Sequence, residues 1–333
     1  MTRVAIYGAG AIGGYIGALL HRAGADVTLI ARGPHLAAIR ERGLRLDLAD
    51  ETLVVHPPAS DDPAAAGEQD YVFVTVKAHA APALAAPMQP LLGPETAVVT
   101  AMNGIPWWYF HGLDGPHRDR RLPLLDPGEA QWRGIGPERV IGCVAWQSAA
   151  MTAPGHIAHL HGDRLALGEP LGSRRDQTRV RRLAALLREA GVRAPVAPDI
   201  RTEIWLKLWG NLSFNPVSAL TGLTLEEIAR DPDARAVVAA MMEEGRDVAR
   251  ALGVRLRMSL DERIAVAGRV GAHRTSMLQD LESGRPMEID ALVGVVAELG
   301  RITGVPTPTI DHVRALVVAR ARAAGCYPAA APA

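Results

Sequence analysis

The stretch RVAIYGAGAIGGYIGALLHRAGADVTLIAR, residues 3–32, decides the fold of this chain. It opens on a run of aliphatic and β-forming residues, passes through closely spaced glycines, and continues with helical spacing up to Gly24. A second compact apolar run, DVTLIAR, then follows. Strand, glycine turn, helix and strand in this order predict the first βαβ unit of a doubly wound α/β domain.

The glycines of this stretch have the spacing G-x-G-x-x-G of a dinucleotide site. The first glycine permits a tight turn, the second lets the backbone approach a pyrophosphate, and the third lets the helix pack close to the strand. The N-terminus of that helix then faces the phosphates. Because the motif follows a strand and opens a helix, its context favours a nucleotide site over an empty turn. The cofactor-binding residues predicted from the motif are Gly8, Ala9, Gly10, Ala11, Ile12 and Gly13.

The end of the second strand indicates which dinucleotide binds. NAD sites carry an aspartate or glutamate there, which holds the ribose hydroxyls. This chain has Ala31-Arg32 at that point. A guanidinium pairs well with a 2′-phosphate, whereas a ribose diol would be left without its carboxylate. Arg32 and the missing acid therefore predict NADPH as the cofactor, with a solvated loop arginine as the alternative for Arg32.

Two further β-branched runs end in polar residues. YVFVTVKAH (71–79) contains Lys77 near its end, and TAVVTAMNG (96–104) reaches Asn103. In open α/β sheets, ligands bind outside the carboxyl ends of the parallel strands. We therefore expect Lys77 and Asn103 to reach the same crevice; a solvated cap and a plain Asn-Gly turn are the alternatives.

The remaining pattern predicts two domains. LRLDLADETLVVH (44–56) alternates as a hairpin does, and VRAPVAPDI (192–200) is a proline-containing junction. The predicted fold class is α/β: an N-terminal Rossmann-type doubly wound domain, residues 1–195, and an all-helical C-terminal domain, residues 196–333. Its helices are expected near 201–215, 224–253, 260–271, 275–283, 288–303 and 308–324.

Residues 107–138, WWYFHGLDGPHRDRRLPLLDPGEAQWRGIGPE, interrupt the α/β pattern. Connections of this length without secondary structure are uncommon in compact domains and are often functional. The aromatic residues argue against plain disorder. The sequence leaves two interpretations open: a lid over an active site, or a surface insertion packed for stability.

Composition argues against several classes of function. Lys+Arg and Asp+Glu number 36 each, so no net field favours nucleic acid or an anionic membrane. No apolar run approaches the ~20 residues that span a bilayer. Two cysteines form no disulfide framework, and His156, His159 and His161 lack the companion ligands of a metal site. We expect a cytoplasmic protein with no metal, nucleic acid or membrane partner.

EIWLKLWGNLSFNP, residues 203–216, is apolar enough for a core helix but carries a polar column. Its polar residues recur every fourth position and therefore stack along one side of a helix, drifting by roughly 40° per step. Lys207 has Trp205, Leu208 and Trp209 beside it in the sequence and should be partly desolvated. Desolvation lowers the pKa of a lysine, here toward a useful value for a general acid. The column consists of Glu203, Lys207, Asn211 and Asn215.

Together, several motifs resemble the ketopantoate reductase (2-dehydropantoate 2-reductase) family over nearly the whole chain. They are GAGAIGG (8–14), VTVKAHA, Asn103-Gly104, EIWLKLWGNLSFNPVSALTG (203–222) and SMLQDLESGRPMEID (276–290). The resemblance implies an NADPH-dependent enzyme, with a helical domain similar to that of 6-phosphogluconate dehydrogenase. Such an enzyme reduces a 2-keto acid, by default 2-dehydropantoate to (R)-pantoate in pantothenate biosynthesis.

The same resemblance assigns roles to individual residues. Lys207 would be the general acid, with Glu288 beside the reacting group and the cofactor ribose. Asn103 would touch both substrate and nicotinamide. Asn211 and Asn215 would hold the hydroxyl end of the substrate, and Ser276 would hold its carboxylate.

Two further residues would lie along the cofactor. They are Lys77 and Ala150.

The chain departs from the family pattern at the Trp-rich insertion, which follows directly after Asn103. This departure keeps alternatives to the default substrate open. A pocket reshaped by these aromatic residues would admit a different keto acid or an imine. A non-catalytic NADP(H)-sensing protein is the third hypothesis, but a sensor has no use for the proton donor Lys207. For the assembly, a homodimer is suggested only by analogy with other dehydrogenases that carry helical domains.

Overall fold

The computed structural model describes residues 1–327, which form two compact units. The N-terminal domain comprises Met1–Met102 and Pro106–Ile200, and the helical domain comprises Asn103–Ile105 and the described residues from Arg201 onward. The predicted fold class, a parallel-sheet α/β domain followed by a helical domain, is confirmed. The sequence places Asn103–Ile105 with the first domain, whereas the contacts of the folded chain assign them to the second.

A seven-stranded sheet forms the centre of the N-terminal domain, in the order β11-β8-β7-β6-β1-β2-β5. All neighbouring pairs are parallel except β11 with β8. The strand order reverses direction beside β1, so the carboxyl end of β1 is the switch point at which such sheets bind ligands. The strands are β1 Arg3–Tyr7, β2 Asp26–Ile30, β5 Ala59–Ser60, β6 Gln69–Val74, β7 Leu92–Thr100, β8 Val140–Ala145 and β11 Leu165–Gly168.

Close packing of helix α1, Ala11–Arg22, on this sheet depends on glycine. A Cβ on Gly17 would lie 2.7 Å from a methyl group of Leu29, so the helix could not approach β2 with any larger residue there. The central strand is fully buried at Val4, Ala5 and Ile6. Three further helices belong to this domain: α2 Gly33–Arg42, α3 Ala130–Gly134 and α4 Thr178–Glu189.

A second, four-stranded sheet in the order β4-β3-β10-β9 packs against α1. The hairpin predicted over 44–56 is confirmed, because β3 and β4 pair antiparallel. The parallel pairing of β10 with β3 spans more than a hundred residues and has no signature in the local sequence. The strands are β3 Leu44–Asp47, β4 Thr52–Val55, β9 Ser148–Ala153 and β10 His156–His161.

The Trp-rich insertion is packed into the N-terminal domain. Its four consecutive aromatic residues, at positions 107–110, are at most 2% exposed. The indole nitrogen of Trp108 donates a hydrogen bond to Thr100 Oγ1 at the end of β7, 2.9 Å away. Asp126 accepts from the backbone amides of Gln131 and Trp132 at the start of α3. Burial of this kind favours the interpretation of the insertion as a stabilising element.

The helical domain is built around α5, Ile200–Thr221, and α7, Pro232–Ala251. The two helices pack closely, since a Cβ on Gly245 of α7 would lie 2.7 Å from Leu212 of α5. One predicted helix, 224–253, is wrong as a single element: it breaks at Asp231, which caps α7. The other helices are α6 Leu225–Arg230, α8 Leu260–Gly268, α9 Ser276–Glu282, a π-helical turn Asp290–Gly294, α10 Val295–Thr303 and α11 Pro308–Ala323.

Within residues 1–327, none of the helices combines the length and the apolar character needed to cross a membrane.

Candidate active site

The glycine turn after β1 is held by backbone hydrogen bonds to the neighbouring strand. The amides of Gly8 and Ala9 both donate to the carbonyl of Ile30 at the end of β2, at 3.1 and 3.2 Å. The Thr75 hydroxyl, just beyond β6, donates to the Gly8 carbonyl at 2.7 Å. The turn is therefore anchored to both strands that flank β1.

The three glycines of the turn play different parts, as a dinucleotide site requires. A Cβ on Gly13 would lie 2.3 Å from the Gly8 carbonyl oxygen and 2.4 Å from Thr75 Oγ1, so only glycine fits there. Gly8 adopts φ +103°, in the left-handed region. A Cβ on Gly10, by contrast, would meet no atom within 4 Å, so open space lies where a pyrophosphate would approach.

The start of α1 is suited to an anion. Its N-cap is Gly10, which has no side chain to cap the helix, and its first turn carries no acidic residue. The first amides of a helix lack intrahelical partners and lie at the positive end of its dipole. The residues present therefore fit the phosphates of a nicotinamide dinucleotide.

Arg32 follows β2 directly and is the N-cap of α2. Its side chain is exposed, and within residues 1–327 it makes no ion pair or side-chain hydrogen bond. The neighbouring Ala31 is tied to the sheet, since its amide donates to the Ser60 carbonyl. The strand end thus presents a guanidinium that is not neutralised by a carboxylate.

The other predicted cofactor residues lie in different surroundings. Lys77 is half-buried, three residues beyond the end of β6 and so near the carboxyl edge of the main sheet. Ala150 pairs with Ala158 in the smaller sheet, which packs against α1. Thr75 is not among the residues predicted from the sequence, although a hydroxyl that closes a buried strand was a usable signal.

In the helical domain, three of the predicted site residues form one hydrogen-bonded set. The Lys207 ammonium of α5 donates to Asn103 Oδ1 at 2.8 Å, and Asn103 Nδ2 donates to Glu288 Oε2 at 3.3 Å. Glu288 is 7% exposed, while Lys207 and Asn103 are half-buried. An amide is well suited to this position because it offers an acceptor to the cation and a donor to the carboxylate.

Asn103 is held there by the residues that follow it. The amide of Ile105 donates to the Ala291 carbonyl at 3.3 Å. Gly104 has φ +86°, and a Cβ on it would lie 2.0 Å from the same carbonyl oxygen. Ala291 belongs to the π-helical turn, an irregularity common at functional sites. The backbone of 103–105 therefore docks on the segment that carries Glu288.

Farther along α5, Asn211 is half-buried and Asn215 is 5% exposed. Neither amide side chain hydrogen-bonds to another residue of the described chain. Neither residue has a fully buried polar atom that lacks a partner, so both amides keep some access from outside the chain. These two side chains are thus the polar groups of the column that remain available to a substrate.

The tryptophans of α5 do not flank Lys207 as expected. Two residues along a helix correspond to a rotation of about 200°, so Trp205 and Trp209 point away from the lysine. Both indoles are fully buried, and Trp209 Nε1 donates to the Met242 carbonyl of α7 at 2.7 Å. Their part is to fix α5 in the core of the helical domain.

Ser276 is exposed at the first position of α9, which is capped by the Thr275 hydroxyl. Asp280, later in α9, is 4% exposed and pairs with Arg285, whose Nε lies 3.0 Å from Asp280 Oδ1. This ion pair fixes the turn between α9 and the Glu288 segment. The ion pair with Asp280 gives Arg285 a structural part.

Local partners hold His156 and His159 of the smaller sheet. His156 Nε2 lies 2.5 Å from Asp47 Oδ2, and the His159 ring stacks on Tyr15 with centroids 4.9 Å apart. Among residues 1–327, no group of three potential metal ligands occurs.

Comparison with known proteins agrees with this arrangement. The family model described as "Ketopantoate reductase PanE/ApbA" matches residues 4–172, and its C-terminal counterpart matches residues 199–321. A 2-dehydropantoate 2-reductase of Mesorhizobium japonicum is 52% identical over 98% of this chain and 99% of its own length.

Solved structures show the same likeness over both domains. A protein of Ralstonia solanacearum MolK2 assigned to the ketopantoate reductases superposes with a TM-score of 0.93 at 44% identity, covering 98% of this chain and 99% of that one. The 2-dehydropantoate 2-reductase of Geobacter metallireducens GS-15 gives a TM-score of 0.83 at 30% identity, covering 95% and 99%. Because both family models match in order along nearly the whole sequence, this chain belongs to the ketopantoate reductase family.

Proposed function

We propose that this chain catalyses the NADPH-dependent reduction of 2-dehydropantoate to (R)-pantoate, a step of pantothenate biosynthesis. The observation that carries the proposal is the hydrogen-bonded set Lys207–Asn103–Glu288, which brings a proton donor and a carboxylate to the two ends of one amide. Membership of a family of nicotinamide-dependent oxidoreductases supports it, as does the name of the relative that is 52% identical.

The reaction requires one hydride and one proton. The nicotinamide, when bound, supplies the hydride to the keto carbon of the substrate. Negative charge then develops on the keto oxygen, which needs a proton and hydrogen-bond donors in the transition state. Lys207 donates that proton from its ammonium group. Asn103 holds the lysine by accepting one of its N–H bonds, and Glu288 fixes the amide by accepting from Nδ2.

Substrate binding would use the available groups of the helical domain. Asn211 and Asn215 would bind the hydroxyl end of the substrate, since amides satisfy hydroxyls without adding charge. Ser276 would donate to the substrate carboxylate from the start of α9. The Asn215 amide makes no side-chain hydrogen bond within the described chain, which supports this assignment because a bound hydroxyl could use both its donor and its acceptor.

For the cofactor, NADPH is favoured over NADH by Arg32 and by the lack of an acidic residue at the end of β2. Gly8–Gly13 would bind the pyrophosphate, with Lys77 and Ala150 farther along the cofactor. For the assembly, a homodimer stays a hypothesis by fold analogy. Residues 1–195 and 196–333 would act as the cofactor and substrate domains, with Asn103 contributing to the second.

The proposal is tested by following NADPH oxidation, through its absorbance, across a panel of 2-keto acids. Turnover of 2-dehydropantoate well above that of the other acids is the expected result. Turnover confined to bulkier keto acids or imines would refute the proposed substrate. No oxidation of NADPH with any of them, despite tight NADPH binding, would favour a sensor.

Lys207→Ala should lower kcat by ~10²-fold or more, because the general acid is lost. Arg246→Ala, on the exposed side of α7, is the matched control for removal of a cation from the same domain. An unchanged kcat in Lys207→Ala would remove Lys207 from the mechanism.

A further inference from the structure

His35 connects two segments of the N-terminal domain that are far apart in sequence. It lies in the first turn of α2, three residues after Arg32. Its Nε2 is 2.6 Å from the Ala9 carbonyl oxygen in the glycine turn. Its Nδ1 accepts a hydrogen bond from the Gly155 amide, 2.9 Å away, in the turn between β9 and β10.

These partners fix the chemical form of the imidazole. A carbonyl oxygen can only accept, so Nε2 carries a proton and donates it to Ala9. A backbone amide can only donate, so Nδ1 carries no proton. His35 is therefore the neutral Nε2–H tautomer, and both of its nitrogens are in use. Few side chains combine a donor and an acceptor at this separation.

The segment on the Nδ1 side is itself rigidly held. The Gly155 carbonyl accepts from the Arg45 amide of β3 at 2.9 Å. Gly155 has φ +78°, and a Cβ on it would lie 3.0 Å from the Cβ of Ala38 in α2. The β9–β10 turn is thus packed against α2, so His35 is tied to a fixed frame rather than to a mobile loop.

On the Nε2 side, the hydrogen bond acts on the peptide that faces the open space of the glycine turn. The carbonyl of the Ala9–Gly10 peptide is bound by His35, and its amide donates to the Gly8 carbonyl at 2.7 Å. Both polar groups of this peptide plane are therefore satisfied, which fixes its orientation. Gly10 is the position where a pyrophosphate would approach the backbone.

We propose that His35 is a positioning residue for cofactor binding. It holds the Ala9–Gly10 peptide in the orientation that leaves the start of α1 open to the pyrophosphate. Because it belongs to the helix that Arg32 caps, it also sets the pyrophosphate turn at a fixed distance from the 2′-phosphate site. This inference rests on the proposed dinucleotide site, but not on the identity of the keto acid.

The consequence of losing this side chain is weaker cofactor binding. Ala9 is 1% exposed, so its carbonyl could not recover a full hydrogen bond from water without movement of the turn. A movement of the turn would misplace the amides at the start of α1. We expect His35→Leu to raise the Kd for NADPH by about tenfold, which corresponds to the loss of one hydrogen bond in a buried setting.

The test compares three variants in NADPH titrations of the protein alone, followed by nicotinamide fluorescence. His35→Gln should regain most of the affinity, since its amide offers a donor and an acceptor as the imidazole does. His56→Leu, at an exposed histidine of the same domain, is the control and should bind as the wild type does. In turnover, His35→Leu should raise the KM for NADPH far more than it lowers kcat.

Wild-type affinity in His35→Leu, or equal losses in the Leu and Gln variants, would overturn the proposal. Should His35→Leu fail to fold, His35→Asn takes its place, because its shorter amide cannot span both partners. A wild type that binds NADPH but reduces no keto acid would refute the proposed function and leave this test intact. A wild type that binds no nicotinamide nucleotide would refute both.

Discussion

Asn103 shows how much can depend on the choice of one side chain. Its side-chain oxygen accepts a hydrogen bond from the Lys207 ammonium, and its side-chain nitrogen donates one to Glu288. An aspartate in its place would set two carboxylates against each other, and a leucine would leave both charged groups without this partner. The amide is neutral, so it can orient Lys207, the proposed proton donor, without adding a charge of its own.

At the same scale, Arg32→Asp should shift the preference from NADPH toward NADH. The change removes the charge that would meet the 2′-phosphate and supplies a carboxylate for a ribose diol. The ratio of kcat/KM for the two cofactors measures the shift. Arg42→Asp, at an exposed arginine in the last turn of α2, is the control. An unaltered ratio in Arg32→Asp would refute the assignment of the 2′-phosphate site.

Single residues also show how far the sequence can be interpreted. The glycine spacing and the polar column identify Gly13 and Lys207 as sites of interest, because local periodicity sets both patterns. The same periodicity shows that Trp209 points away from Lys207, yet adjacency in sequence suggested that the two are neighbours. The contact of Lys207 with Asn103 spans 104 positions, and no local pattern contains it.

At the scale of elements, Gly104 packs against the π-helical turn of the helical domain. Gly104→Ala would meet both a left-handed φ of +86° and the Ala291 carbonyl oxygen at 2.0 Å. We expect the docked backbone to shift and Asn103 to leave its position, lowering kcat on the order of 10²-fold. Steady-state kinetics and the Tm of the same preparations provide the measurement.

Gly222→Ala is the matched control for that change. Gly222 also has a positive φ, +78°, but a Cβ there would meet nothing within 4 Å. Its substitution carries the conformational strain without the clash. Similar losses of kcat and Tm in the two variants would show that the docking of Gly104 on Ala291 does not position Asn103.

Other elements mark where interpretation of the sequence succeeded or failed. Asp231-Pro232 combines an N-cap residue with proline at the first helical position, so the break between α6 and α7 was available from the sequence but missed. Whether the insertion forms a lid or packs into the domain could not be predicted from the sequence. Its aromatic residues suit a lid as well as a core, and only the site that Trp108 fills beside Thr100 distinguishes the two.

At the scale of the whole molecule, contacts at the end of the described chain make the stability of the protein depend on pH in the alkaline range. The Tyr327 hydroxyl donates to Asp290 Oδ2 at 2.8 Å, and the Met287 amide donates to the Cys326 carbonyl. Burial, with this hydrogen bond to the carboxylate, raises the pKa of Tyr327 from 10.0 to about 12. The unfolded chain therefore loses this proton first as the pH rises.

A raised pKa in the folded state stabilises the protein below the unfolded pKa, and this contribution is lost as the pH rises from about 10 to about 12. Tyr327→Phe should therefore lose less of its free energy of unfolding across this interval than the wild type does. Urea unfolding at several pH values measures the difference. Burial also raises the pKa of Tyr7, Tyr15 and Tyr71, but both proteins share these groups. Parallel losses in the two proteins would contradict the prediction.

The assignment of Asn103–Ile105 to the helical domain has a consequence for recombination between relatives. A gene fragment that starts at residue 201 would encode Lys207 and Glu288 but not the amide that joins them. A chimera made by a single crossover near residue 200 would combine the Asn103 loop of one parent with the π-helical turn of the other. An exchange of the helical domain that keeps Lys207, Asn103 and Glu288 from one parent therefore also requires the transfer of residues 103–105 from that parent.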